Sequence, residues 1–104
     1  MTVNIKQFNQ QYTIKSQMNT IVNDKPTIIS TESILTNSMN QLKCQHTQVA
    51  IITQMNNDSL NIKPNEHYNI QIVHRKTNQK IFTAYTPAKD FILEYIQSRF
   101  QITS

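Results

Sequence analysis

The clearest pattern of hydrophobic and polar positions lies near the C-terminal end of the chain. Large apolar residues recur there at spacings that place them along one side of a helix. They are Phe91, Ile92, Tyr95, Ile96 and Phe100. Thr86 can cap the first turn, and Pro87 suits the first helical position because its missing N–H would have no partner there. The pattern therefore predicts a helix at about 87–100.

Two β-favouring segments precede this helix. In the first, Tyr68, Ile70 and Ile72 alternate with polar residues, and the second covers 81–85. The polar break between them predicts a β-hairpin near 68–86. Because the chain contains no glycine, a positive-φ position in the turn falls most naturally to Asn78, since Asn tolerates the left-handed region better than other residues.

The upstream half predicts shorter elements. Apolar runs at 25–30 and 48–53 favour strands. Between them, apolar residues at helical spacing predict a helix from Ser30 or Thr31 to about Lys43. These residues are Ile34, Leu35, Met39 and Leu42.

The first 24 residues admit two interpretations. Their apolar side chains form two roughly opposite helical faces. One face contains Ile5, Phe8 and Tyr12, and the other contains Ile14, Met18, Ile21 and Val22. Either a short leading strand followed by a helix, or a helix broken near Thr13, explains the pattern. The chain as a whole predicts one α+β domain, 1–104, with a small antiparallel or mixed sheet and two or three helices.

The composition excludes several enzyme classes. Gln, Asn, Thr and Ser together account for 43 of 104 residues, and there is no glycine. Phosphate-binding P-loops, Rossmann fingerprints and G-x-S-x-G nucleophile elbows all need glycine for close backbone approach or a strained turn. The presence of 15 Ile but only 3 Ala, 3 Pro and 2 Arg is typical of an AT-rich coding sequence, which favours a phage or other mobile element of a low-GC bacterium.

No other pattern predicts chemistry or a membrane. The longest apolar run, at 49–52, is far shorter than the about 20 residues that span a bilayer. The sequence shows no signal peptide, and one cysteine cannot form an internal disulfide, so we expect a cytoplasmic protein. Cys44 and His46 match no zinc-site spacing, and the carboxylates suit turns and helix starts. We therefore expect no enzyme activity, no metal and no cofactor.

The distribution of charge gives the strongest functional signal. The net charge is +4, and the segment 67–89 contains four cations and no acid. These cations are Arg75, Lys76, Lys80 and Lys89. Such side chains on a hairpin turn can contact phosphates, and Asn78 and Gln79 can bond base edges. An ordinary solvated turn, or lysines protecting a strand edge, would give the same pattern.

The sequence thus predicts a non-catalytic, small basic regulatory protein that binds DNA, RNA or a nucleoprotein complex. The alternative is an inhibitor or adaptor that binds a host protein, or a homodimer, through a strand edge or the C-terminal helix. On that helix the candidate contact residues are Phe91, Tyr95 and Phe100. The same apolar stripe would also serve as the core face of the helix.

Overall fold

An antiparallel five-stranded sheet dominates the structure, a computed structural model that describes residues 2–53, 67–86 and 91–103. The strands are β2 (Tyr12–Val22), β3 (Lys25–Ser38), β4 (Gln41–Thr53), β5 (Tyr68–His74) and β6 (Lys80–Thr86), in the spatial order β4-β3-β2-β5-β6. The helices are α1 (Ile5–Gln11) and α2 (Phe91–Arg99). A separate parallel pair joins β1 (Thr2–Asn4) to β7 (Gln101–Thr103).

The core lies between one face of the sheet and the two helices. Alternate residues of the central strands point into it, and the helices add Phe8, Ile92 and Ile96. The central strands contribute Ile14, Leu35, Ile70 and Ile72. Each such side chain, once fully buried, contributes about 1.5–3 kcal/mol to folding. We call the opposite face of the sheet, with its mostly polar residues, the outer face.

Asn9 connects α1 to the sheet where the ladder between β2 and β3 stops. The last register pair of that ladder is Ile14 with Ser33, so Leu35 lies beyond it. Asn9 takes the place of a strand there: the Leu35 N–H donates to Asn9 Oδ1 (2.9 Å), and Asn9 Nδ2 donates to the Leu35 carbonyl (2.9 Å). Both backbone groups are therefore satisfied in a part-buried position.

The N-terminal segment follows the first of the two predicted interpretations. A short strand leads into a helix, and Asn4 caps the helix: its side chain accepts from the Gln7 N–H (2.7 Å), while Gln7 Oε1 accepts from the Asn4 N–H (3.0 Å). This reciprocal capping box fixes the start of α1. The prediction of a second helical face at 14–22 was wrong, because these residues form β2.

The predicted helix from Ser30 or Thr31 to Lys43 is also wrong. The segment forms the end of β3, a turn and the start of β4. Thr31, Ser33 and Leu35 are all buried in alternation, so the true period is two. Hydroxyl residues at two of these inward positions hide that period, and the four apolar residues fall at helical spacing by coincidence.

Other predictions are confirmed. The fold is α+β with an antiparallel sheet, the hairpin at 68–86 is formed by β5 and β6, and a helix is present at 91–99. The predicted start of that helix at 87 lies outside the described residues. Strands cover 25–30 and 48–53, within longer elements. Neither helix in the described part of the chain has the length and apolar character to cross a membrane.

Candidate functional site

Backbone hydrogen bonds fix the turn between β5 and β6. The His74 N–H donates to the Gln79 carbonyl (2.8 Å), and the Asn78 N–H donates to the His74 carbonyl (2.8 Å). Asn78 has a φ of 60°, as predicted for this glycine-free turn. The turn is therefore a defined structure, and its exposed residues 75–80 project from a fixed backbone. We call Arg75, Lys76 and Lys80 the cationic turn.

Arg75 is held against the end of α1. Its Nε donates to the carbonyls of Asn9 (2.8 Å) and Tyr12 (3.1 Å), and its N–H donates to the Gln11 carbonyl (2.8 Å). The Nη groups take no part in these bonds. A guanidinium anchored in this way loses less conformational entropy when it binds an anion than a fully mobile one.

An open pocket of about 570 Å³ lies at the same place. It is lined by Gln10, Gln11, His74, Arg75 and Lys76. Two cations and two side-chain amides thus converge on one surface depression. Phosphate oxygens accept hydrogen bonds from both kinds of group, so the pocket suits a phosphate-bearing chain.

Lys80 extends the cationic turn onto the outer face of the sheet. It lines a pocket of about 230 Å³ together with Lys15, Gln17, Asn69 and Gln71. Lys15 belongs to β2 and is the register partner of Gln71 on one side and Glu32 on the other. The carboxylate of Glu32 offsets part of the Lys15 charge, so Lys80 is the stronger candidate for an anion contact.

A second, smaller pocket continues along the outer face. It has a volume of about 110 Å³ and is lined by Gln17, Asn19, His67, Asn69 and Tyr85. The rings of His67 and Tyr85 stack with centroids 5.1 Å apart and planes 8° from parallel. Gln17 and Asn69 line both pockets, so the amide-rich surface is continuous from Lys80 to Tyr85.

The candidate residues on the C-terminal helix occupy different environments. Phe100 is buried, and its ring contacts that of Phe8 at a centroid distance of 5.5 Å. Tyr95 is half-buried and stacks on Phe82 (3.7 Å). Phe91 is exposed. The stripe thus serves chiefly as the core face of the helix, and the partner contact stays a prediction that concerns Phe91 most directly.

The other predicted site residues lie as follows. Arg75, Lys76, Asn78, Gln79 and Lys80 are brought together by the hairpin and are all exposed. Lys89 lies outside the described residues. Cys44 and His46 are on β4, with His46 Nδ1 at 2.6 Å from Ser33 Oγ. Within 2–53, 67–86 and 91–103, no three His, Cys, Asp or Glu side chains are grouped so as to hold a metal ion.

The hydrophobic pattern of the sequence did not reveal the outer-face residues. Lys15, Gln17 and Asn19 of β2 alternate with inward residues, and Asn69 and Gln71 do the same on β5. The signal was a period of two with amides on one side. It was visible in β5, but in β2 the inward Ser16 and Thr20 concealed it.

Comparisons with protein-family models, with curated proteins and with solved structures gave no match.

Proposed function

We propose that the protein is a non-catalytic binder of nucleic acid, which it contacts through the cationic turn. The observation that carries the proposal is the placement of Arg75, Lys76 and Lys80 on one hydrogen-bonded turn. Their side chains are exposed, with Arg75 and Lys76 in one open pocket that contains amides and Lys80 in another. A phosphate backbone has the charge and the hydrogen-bond acceptors that such a surface favours.

An ordinary solvated turn would account for exposed cations, and two further features favour a binding surface. Arg75 is anchored by carbonyls of the preceding helix and strand. Lys80 faces a surface of amides that belong to β2 and β5. Both features give the charges a fixed position relative to further hydrogen-bonding groups, which is what a binding surface requires.

The test is a binding assay with labelled single-stranded and duplex oligonucleotides at low salt. The variant Arg75→Gln/Lys76→Gln/Lys80→Gln should lose retention of both. The matched control Lys6→Gln/Lys25→Gln/Lys43→Gln removes the same charge from other elements and should keep most of it. A second variant, Lys76→Gln/Lys80→Gln, preserves the Arg75 anchor and separates loss of binding from loss of folding.

Two results would overturn this proposal. One is a wild-type protein that retains no oligonucleotide at low salt. The other is equal loss in the two triple variants, since this would reduce the effect to net charge alone.

A second candidate function, self-association, is favoured by the edge of β4. β4 is an edge strand: it pairs with β3 on one side, and no described strand pairs with its other side. Val49, Ile51 and Ile52 are each more than half exposed. A bulge at Val49 gives some protection against pairing, but residues 44–53 contain no charge. In a chain of net charge +4, this uncharged part of β4 is where a second copy can approach with least repulsion.

We propose a second copy, paired through its own β4, as the occupant of this edge. Sedimentation should then show a concentration-dependent dimer that Ile51→Lys abolishes, because a charge on an edge strand opposes pairing. Ile81→Lys, the same change on the opposite edge strand, is the control and should dimerise. A monomeric wild type, or equal behaviour of the two variants, would contradict the proposal.

A further inference from the structure

We infer that the outer face holds a subsite for unpaired bases, so that the nucleic acid bound is single-stranded. The inference rests on the proposed function and adds the form of the ligand. Its centre is Tyr85, with His67 stacked against it, and it extends through Asn69 and Gln17 to Lys80.

Tyr85 is 61% exposed on the outer face. The other three tyrosines, Tyr12, Tyr68 and Tyr95, are half-buried. Tyr85 thus offers most of its side chain to solvent, on the opposite side of the sheet from the helices. A sheet-borne aromatic ring of this kind is the usual platform for stacking an unpaired base.

The stacked histidine limits how the Tyr85 ring can turn. With the two planes 8° apart, the pair presents nearly parallel aromatic surfaces. A base that adds to this stack gains contact with a ring that is already oriented. Little rotamer entropy is then lost on binding.

The groups beside the stack match the rest of a nucleotide. Asn69 is the register partner of Tyr85 on one side and of Gln17 on the other, which makes a row across three strands. Their side-chain amides both donate and accept hydrogen bonds, as base edges require. Lys80 lies in the adjoining pocket, where it can meet a phosphate of the same strand.

A duplex does not suit this surface. Its bases are already stacked on one another and show only their edges in the grooves, whereas Tyr85 offers a ring plane. Unpaired bases, which can turn outward, satisfy both the stack and the amides. Tyr85 therefore predicts a preference for single strands that the cationic turn alone would not give.

Fluorescence anisotropy with labelled oligothymidylate and oligouridylate, each of about a dozen nucleotides, tests the inference against a duplex of equal length. Tyr85→Leu should weaken single-strand binding by about 5- to 150-fold, the range for one stacked base, and leave the salt dependence unchanged. Tyr85→Phe should restore most of the affinity. Phe91→Leu, which changes an exposed aromatic residue of α2, is the control and should bind as wild type.

The outcomes distinguish failure of the base subsite from failure of the proposed function. If wild type binds duplex and single strand equally and Tyr85→Leu matches it, the base subsite is wrong while the proposed function stands. If wild type binds none of these probes, the proposed function fails and the subsite fails with it. A loss of single-strand affinity in Tyr85→Leu that Tyr85→Phe does not recover would also contradict stacking. This holds provided that both variants have the same denaturant midpoint of unfolding as wild type.

Discussion

Individual side chains perform tasks in this protein that glycine and regular backbone pairing perform in most others. Within the described residues, five have positive φ, and each lies in a turn between neighbouring strands. Two of the turns use paired residues, Asn23 with Asp24 and Met39 with Asn40, whereas the cationic turn uses Asn78. A short polar side chain lowers the cost of the left-handed conformation, which explains why Asn and Asp occupy four of the five positions.

Replacement of Asn78 tests this explanation. Asn78→Ala should lower the free energy of unfolding by about 1 kcal/mol, because alanine reaches a φ of 60° less readily. Asn78→Gly should be neutral or slightly stabilising, since glycine adopts this conformation without a steric penalty. Urea unfolding followed by circular dichroism measures both.

Gln79→Ala is the control for Asn78, because the neighbouring residue has no positive φ and contributes its backbone carbonyl to the turn. It should change the stability little. Equal destabilisation by Asn78→Ala and Gln79→Ala would show that φ strain at Asn78 is not the cause.

Among the secondary-structure elements, side chains supply hydrogen bonds where a strand loses its neighbour. The ladder between β2 and β3 stops while β3 continues, and Asn9 supplies the missing donor and acceptor to Leu35. The same side chain joins α1 to the sheet. Arg75 then links the end of α1 to the hairpin through the carbonyls of Asn9 and Tyr12. The cationic turn is thus held by backbone carbonyls at the end of α1 as well as by the hairpin.

Replacement of Asn9 tests the role of its side chain at the end of the ladder between β2 and β3. Asn9→Ala should cost about 1–3 kcal/mol of stability, because it leaves a part-buried N–H and a part-buried carbonyl without their partner. Gln10→Ala, the neighbouring exposed amide, should cost much less and serves as the control. Amide hydrogen exchange would locate the effect, with faster exchange expected at Leu35 in the Asn9 variant alone. Unchanged protection there would contradict the assigned role.

The sequence predicted an element well where apolar residues occupied its inward positions. In β5, Ile70 and Ile72 point inward and the alternation was plain. In β2 and β3, Ser16 and Ser33 hold equivalent places, so a helical spacing of the remaining apolar residues competed with the true period. The turn cations could be predicted because they are adjacent in the chain. The outer face could not, because β2 and β5 are brought together only by the sheet.

On the scale of the whole molecule, chemistry is divided between the two sides of the sheet. The helices cover one side of the sheet. The other side, the outer face, contains the amides, Tyr85, three lysines and Glu32. Lys15 and Lys80 share a pocket near the hairpin, whereas Lys43 lies on β4 at the opposite edge of the sheet. A single-stranded nucleic acid that runs from the cationic turn along the amides of the outer face would contact Lys80 and Lys15 but not Lys43.

This arrangement predicts how affinity changes with salt. For a single strand, each neutralised phosphate contributes about 0.7 to the slope of log K against log salt. Lys80→Gln should therefore reduce the slope by nearly that amount, and Lys15→Gln by less, because Glu32 already offsets part of its charge. Lys43→Gln removes the same formal charge from the far edge and should leave the slope unchanged. Equal reductions in all three variants would mean that the ligand senses net charge alone, whereas a graded series, largest at Lys80, would map its path along the outer face.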